Sequence, residues 1–358
     1  MQSLISKSAF RLGVACAVGL LLGCESGTTR NWSSGSAPAS HASSMAVDAT
    51  DVYWTDGATI YRENNSSGTV TPFVTEPCGG VGSVAVDGDH VYWSHGYTST
   101  TCTASVSRTP KNGGGPVDLL ATGFVFNDWG GIVLDDAAVY FVAVANPDGS
   151  GRAHSMLYSV PKSGGTPVAL GGPIAMGYPV VDDMGTAYWL SLLSDPASLQ
   201  TQPTISIQRT DRTGTTASLA TVTANVAALA FFGDRIYWVE SGYHGVEYFC
   251  FACDVPAVIR SMGPGDVAPV MEATPPAQAL IHDAIVDSSG LWFTLEGTRS
   301  GMGVDYPPND DHTGALVHVP TGGSAVTAFT GLPFASALTA DDTAIFATGD
   351  GAPQVVAK

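Results

Sequence analysis

Asp48-Ala49-Thr50-Asp51-Val52-Tyr53-Trp54 returns as Asp87-Gly88-Asp89-His90-Val91-Tyr92-Trp93, so an aspartate, four residues and an aromatic pair make one recurring unit. Five further copies carry their hydrophobic core at Val139-Tyr140-Phe141, Ala187-Tyr188-Trp189, Ile236-Tyr237-Trp238, Leu291-Trp292-Phe293 and Ile345-Phe346-Ala347. Asp135, Asp183, Asp287 and Asp341 occupy the aspartate position of four of these, and the fifth copy has Phe232 there. Successive copies are 39, 48, 48, 49, 55 and 54 residues apart, and a period of that size marks a repeat architecture.

Each copy holds four short segments of strand character and almost no helical periodicity, which predicts a four-stranded antiparallel sheet. In the second copy these are Ser83–Val86, Val91–Trp93, Ala104–Ser107 and Pro116–Ala121, separated by Asp-, Asn- and Gly-bearing turns that tolerate positive backbone angles. One such sheet cannot bury both faces. Seven set radially can, so the expected fold is all-β, a seven-bladed β-propeller over residues 41–358, with six blades as the alternative count. The aromatic pairs are expected to fill the layers between blades.

Val52-Tyr53-Trp54-Thr55-Asp56-Gly57 resembles the YWTD repeats of the low-density lipoprotein receptor family. The other copies keep only the aromatic pair, and propellers of that family have six blades where seven copies are countable here. The resemblance implies a fold and very little about function.

The last copy ends after its third strand, Gln354–Ala357. The ring then needs a closing strand from residues before His41, for which Asn31–Pro38 is weak by composition, or has a three-stranded last blade.

Residues 1–23 have the layout of a secretory signal, with Lys7 and Arg11 ahead of an uncharged run from Leu12 to Leu22. Those eleven residues would span about 16 Å as a helix, too short to cross a bilayer. Leu21-Leu22-Gly23-Cys24 resembles the bacterial lipobox, which implies cleavage before Cys24, diacylglycerol on its sulfur and a membrane-anchored chain in the cell envelope. Residues 24–40, rich in Ser, Gly, Ala and Thr, read as a flexible tether. Loss of Lys7 and Arg11 leaves 32 acidic residues against 12 basic ones, a formal charge of −20. Such a surface repels nucleic acid and anionic headgroups, so membrane contact is expected through lipid.

Strand alternation puts the connection between second and third strands on the same face as the link to the next blade. Length varies there, at residues 95–103, 143–155, 191–203, 241–256 and 296–314, and long loops on a rigid scaffold are where binding groups sit. Cys78 and Cys102 reach that face together and Cys250-Phe251-Ala252-Cys253 lies across the ring. Two disulfides, Cys78 with Cys102 and Cys250 with Cys253, are the favoured pairing in an oxidising compartment, although three pairings of the four thiols can be written. Zinc at the CxxC pair would need added ligands such as His244.

His41, Asp128, Tyr178, Asn225, His282 and Asp283 are expected to ring the channel mouth on this face. An imidazole beside carboxylates can hold a divalent metal or act as a general base. Asp305–His312, with Asp310 and Asp311, lacks the spacing of a calcium loop. No cofactor is identified, and nucleophile-elbow, phosphate-loop, zinc-helix and dinucleotide signatures are missing. The expectation is a monomeric envelope module that binds a protein, peptide or glycan. The alternative is a metal-assisted lyase or hydrolase at the channel mouth, as in the seven-bladed streptogramin lyases, which are similar in architecture.

Overall fold

The structure, a computed structural model, describes residues 30–31, 44–77, 80–96, 104–113, 117–124, 126, 131–144, 155–174, 179–194, 204–241, 257–275, 280–296, 314–321, 325–330, 337–348 and 354–358. The first strand, β1 (Arg30–Asn31), stands apart in sequence from the rest. Blade 1 comprises β2 (Met45–Val47), β3 (Asp51–Asp56), β4 (Thr59–Asn64) and β5 (Val70–Thr75). Blade 2 has β6 (Val81–Val86), β7 (His90–His95), β8 (Ser105–Pro110) and β9 (Asp118–Thr122). Blade 3 has β10 (Ile132–Leu134), β11 (Ala138–Val144), β12 (Ser155–Pro161) and β13 (Val168–Ile174). Blade 4 has β14 (Val180–Val181), β15 (Ala187–Ser194), β16 (Thr204–Thr210) and β17 (Thr216–Thr223). Blade 5 has β18 (Asn225–Phe232), β19 (Arg235–Ser241), β20 (Val258–Met262) and β21 (Val270–Ala273). Blade 6 has β22 (Leu280–Asp287), β23 (Gly290–Glu296), β24 (Ala315–Pro320) and β25 (Val326–Thr330). Blade 7 has β26 (Ala337–Ala340), β27 (Ala344–Thr348) and β28 (Gln354–Ala357), and β1 completes it.

The chain is a seven-bladed β-propeller. Every blade is antiparallel in sequence order from the centre outward, except that blade 7 takes its outermost strand from the other end of the chain. Arg30 pairs with Val355 and Asn31 with Gln354, so the ring is closed by residues inside the stretch that reads as a tether. A single bridge, Ile174 to Ser191, also joins blades 3 and 4 into one sheet.

Seven apolar layers fill the seven gaps between blades, and the aromatic pair explains them. Neighbouring residues of a strand point to opposite faces. Tyr53 therefore faces blade 2, packing with Val84 and Trp93, while Trp54 faces blade 7, packing with Phe346 and Ala344. Tyr92 and Phe141 meet between blades 2 and 3, Tyr140 and Trp189 between 3 and 4, and Tyr188 and Trp238 between 4 and 5. A buried tryptophan such as Trp93 removes about 150–250 Å² from water, worth about 4–6 kcal/mol. Gly171 is demanded by this packing, because a Cβ there would run into the Trp189 ring.

The aspartate of the repeat organises the turn between first and second strands. Its Oδ1 accepts two backbone N–H groups of that turn, from Asp89 and His90 at Asp87, and from Ala137 and Ala138 at Asp135. Oδ2 accepts the phenol of the first aromatic residue, Tyr92 at 2.8 Å and Tyr140 at 2.9 Å. In blade 4 this role belongs to Asp182, not Asp183, because the turn there runs 182–186 and Asp182 binds the N–H groups of Met184 and Thr186 and the hydroxyl of Tyr188. Phe232 needs no such cap. Phe232 pairs directly with Arg235, so Gly233, at φ 66°, and Asp234 close the turn on backbone alone.

Oδ2 also takes a cation from just beyond the third strand of the next blade. Asp48 meets Lys111 at 2.6 Å, Asp87 meets Lys162 at 2.7 Å, Asp135 meets Arg212 at 2.8 Å, and Asp287 meets Lys358 at 2.5 Å. These clasps join blades 1 to 2, 2 to 3, 3 to 4 and 6 to 7. Burial would raise the Asp87 carboxyl, but Lys162, the two N–H groups and Tyr92 hold it well below the usual carboxylate range. Burial likewise works against Asp48, Asp135 and Asp287, and their hydrogen bonds prevail to lower all three. Gly185, at φ 76°, makes room for one clasp, since a Cβ there would strike both Arg212 and Asp135.

Candidate functional site

The two faces of the disc differ. On the turn face, connections between first and second strands span two to five residues and those between third and fourth strands five to seven. On the opposite face, the second-to-third connections range from two residues in blade 1 to eighteen in blade 6, at 297–314. This loop face is the candidate functional surface.

Of the residues expected at the channel mouth, Asp283 is fully described. It opens the inner edge of blade 6 at a register shift between Ile281 and Ala284, its Oδ2 accepts the Leu338 N–H of blade 7 at 2.8 Å, and its Oδ1 accepts the Ala284 N–H. Thr294 Oγ1 in turn accepts the Asp283 N–H at 3.2 Å. Ser44 and Ser83 occupy equivalent places: Ser44 Oγ accepts the Val84 N–H and Ser83 Oγ the Ile132 N–H, each at 3.1 Å. Their own N–H groups bond Thr55 Oγ1 and Ser94 Oγ. The Asp283 carboxylate therefore does the work of those hydroxyls, tying its blade to the next. Asn225 begins β18 and His282 lies within β22. The side chains of both fall outside the described residues, as do His41, Asp128 and Tyr178 entirely, Cys24, Cys78, Cys102, Cys250, Cys253, His244 and residues 305–312.

A polar cluster that the repeat pattern does not flag sits on the loop face at blades 1 and 2. Glu76 follows β5, His95 ends β7 and Ser105 starts β8, so three strand ends bring them together. His95 Nδ1 lies 3.3 Å from Ser105 Oγ, which is 2.9 Å from Ser107 Oγ. Nε2 lies 4.0 Å from Glu76 Oε2, and Trp93 Nε1 donates to Glu76 Oε1 at 2.5 Å. The residue types are those of a nucleophile, a base and an orienting carboxylate. Ser105 and Ser107 are buried, however, and the arrangement fixes the link out of blade 1 onto the second and third strands of blade 2. Its sign in the sequence is a histidine two residues after Trp93, with Ser105 facing it across the ladder and Ser107 facing Trp93. At the matching position of blade 5, Glu240 accepts Trp238 Nε1 at 3.0 Å and pairs with Arg260 at 2.9 Å. Among the described residues, no group of three His, Cys, Asp or Glu side chains is placed to hold a metal.

Such geometry defines the class, a seven-bladed β-propeller with one short-turn face and one face of variable loops. No family profile matches the sequence, and no curated protein matches it. Among solved structures, it is similar to an acylaminoacyl peptidase in complex with Z-Gly-Gly-Phe-chloromethyl ketone, at 11% identity and TM-score 0.57, over 86% of this chain and 48% of that one. A prolyl endopeptidase structure matches at 11% identity and TM-score 0.56, over 89% of this chain and 50% of that one. The nidogen/laminin complex gives 15% identity and TM-score 0.48, over 76% and 90%. The chain thus spans about half the length of the two peptidase chains. At these identities the likeness is one of fold.

Proposed function

We propose that this chain is a cell-envelope binding or scaffolding module, anchored through lipid on Cys24, that offers its loop face to a protein, peptide or glycan. The observation carrying this reading is the asymmetry of the disc: capped, clasped short turns on one face, and connections of up to eighteen residues on the other. A frame held by seven apolar layers keeps the strand ends that carry such loops in fixed relative positions, which lowers the ordering cost of binding. The net charge of −18 favours neutral or cationic ligands and disfavours nucleic acid.

The test is retention of partners from envelope extracts, and of glycans on an array, by the full chain. A control has residues 145–154 and 297–314 replaced by two-residue turns like Gly57-Ala58. Partners held by the full chain and lost by the control are expected, whereas equal retention by both removes the loop face from the proposal. A metal-assisted lyase or hydrolase at the channel mouth is the competing reading. Metal analysis of purified protein and a His282→Ala variant separate it, since a binding module loses nothing when chelated.

A further inference from the structure

The direction of one strand fixes which face a lipid anchor would bring to the membrane. β28 runs toward the turn face, because Lys358, just after it, reaches Asp287 at 2.5 Å and donates its backbone N–H to Thr343 O, both in first-to-second-strand turns. β1 is antiparallel to β28, so the chain enters β1 from the turn-face side and leaves toward the loop face. Five residues, Glu25 to Thr29, separate Cys24 from Arg30, a reach of about 20 Å at most. An anchor at Cys24 therefore starts from the turn-face side of blade 7 and cannot stray far from it.

A second observation concerns the same face. Among the described residues, the two most exposed large apolar side chains sit in its turns, Val267 at 102% and Met184 at 79%, and Phe232, at 40%, is on the same face. Met184 is in the first turn of blade 4, Phe232 ends the strand that enters that of blade 5, and Val267 is in the outer turn of blade 5. Val270 and Met271 continue the patch at the turn-face end of β21. Blades 4 and 5 lie on the half of the ring away from blade 7, so the anchor and the apolar tips support opposite sides of one face.

We infer that the disc lies with its turn face against a phospholipid surface, held by the Cys24 lipid at blade 7 and by Met184, Phe232 and Val267 across the ring, with the loop face turned away from the membrane. This rests on the anchor of the proposed function. Exposed Asp89, Asp136, Asp183, Asp234 and Asp342 on the same face repel anionic headgroups, so the fitting surface is zwitterionic.

The experiment uses the full chain, processed in a bacterial host that acylates lipoproteins and reconstituted in phosphatidylethanolamine–phosphatidylcholine vesicles. Mass spectrometry of Cys24 reads the anchor alone. Deuterium exchange, compared with a soluble Cys24→Ala chain, reads orientation. Exchange at 182–186, 232–235 and 263–269 should slow by about threefold or more, with 95–96, 104–105 and 281–283 unchanged. Anionic lipid should weaken the protection. An unacylated Cys24 overturns the anchor, and this inference with it. Protection of the loop-face positions, or of neither face, in acylated protein overturns the orientation and leaves the anchor standing. A Met184→Asp/Phe232→Asp/Val267→Asp variant of unchanged melting temperature should stay vesicle-bound and lose turn-face protection, and if protection persists those side chains play no part.

Discussion

Replacing Asp87 by alanine should lower stability by about 3 kcal/mol, far more than its place in a surface turn would suggest. The side chains of Asp87 and Lys162 are 24% and 17% exposed, between an exposed pair worth up to about 1 kcal/mol and a buried one whose one-sided loss costs about 3–5 kcal/mol. That intermediate setting assigns about 2 kcal/mol to the ammonium left unpaired. The Tyr92 hydroxyl, deprived of its acceptor, adds about 1 kcal/mol, while the two turn N–H groups can turn to water. For a chain of this size the sum is a fall of about 4–5 °C in melting temperature by calorimetry at pH 7. Asp89→Ala, two residues away and exposed, is the control and should change stability by no more than about 0.5 kcal/mol. A double-mutant cycle with Lys162→Met should give a coupling of about 1–2 kcal/mol. The pH dependence has a definite sign. Asp87 has a depressed folded pKa, so its contribution is complete above the unfolded value of about 4 and is lost as pH falls through the folded one, and the gap between wild type and Asp87→Ala should close in that acid window. A shift for Asp87→Ala no larger than that of Asp89→Ala, or a coupling near zero, would refute the clasp.

Removing residues 25–31 from a soluble form of the chain should lower its melting temperature and promote self-association through the bared edge of β28, read by calorimetry and light scattering; an unchanged temperature would mean that β1 does not close the ring. Gly185→Ala should cost about 2 kcal/mol in chemical denaturation, combining a strained positive φ with collision against the Arg212–Asp135 pair. Burial, ahead of the nearby carboxylates, pushes Tyr53, Tyr140 and Tyr188 up to about 12. Their stabilising effect is whole below about pH 10 and is lost as pH climbs through 12, so phenolate absorbance from these three should appear only with alkaline unfolding.

The repeat was legible because one physical demand recurs: a strand packed on both faces needs adjacent apolar side chains, large in all but one place, and in six of the seven copies the turn before it is capped by a carboxylate. Hence Tyr53-Trp54 and Asp48 announced both the count and the aromatic layers. The clasps were partly hidden. Lys111 and Lys162 stand in matching Pro-Lys-x-Gly-Gly stretches, but Arg212 is shifted one place by a different turn and Lys358 is preceded by alanine, not proline. Asp182 was obscured by its neighbour Asp183, since turn length decides which of two adjacent carboxylates faces inward. The closing strand carries little β propensity at Arg30-Asn31, because an outer strand in a ring is chosen by an available edge more than by its own composition. The loop face was legible in connection lengths alone. Asp283 begins the paired inner part of blade 6, yet a single sequence does not show that its carboxylate is occupied by the backbone of the next blade, and nothing periodic marks the Glu76–His95–Ser105 cluster.

Each clasp is directional, with a carboxylate given forward and a cation given back. Contacts of this head-to-tail kind do not limit the number of units by themselves; they generate a ring only when the rotation per unit happens to close. Blades 2 and 3 each carry both halves, so either one, copied or deleted whole, would leave its neighbours still complementary. The pairing chemistry is therefore indifferent to blade number, and the fixing of that number at seven falls to the width of the apolar layers and to the single strand, β1, that spans the seam.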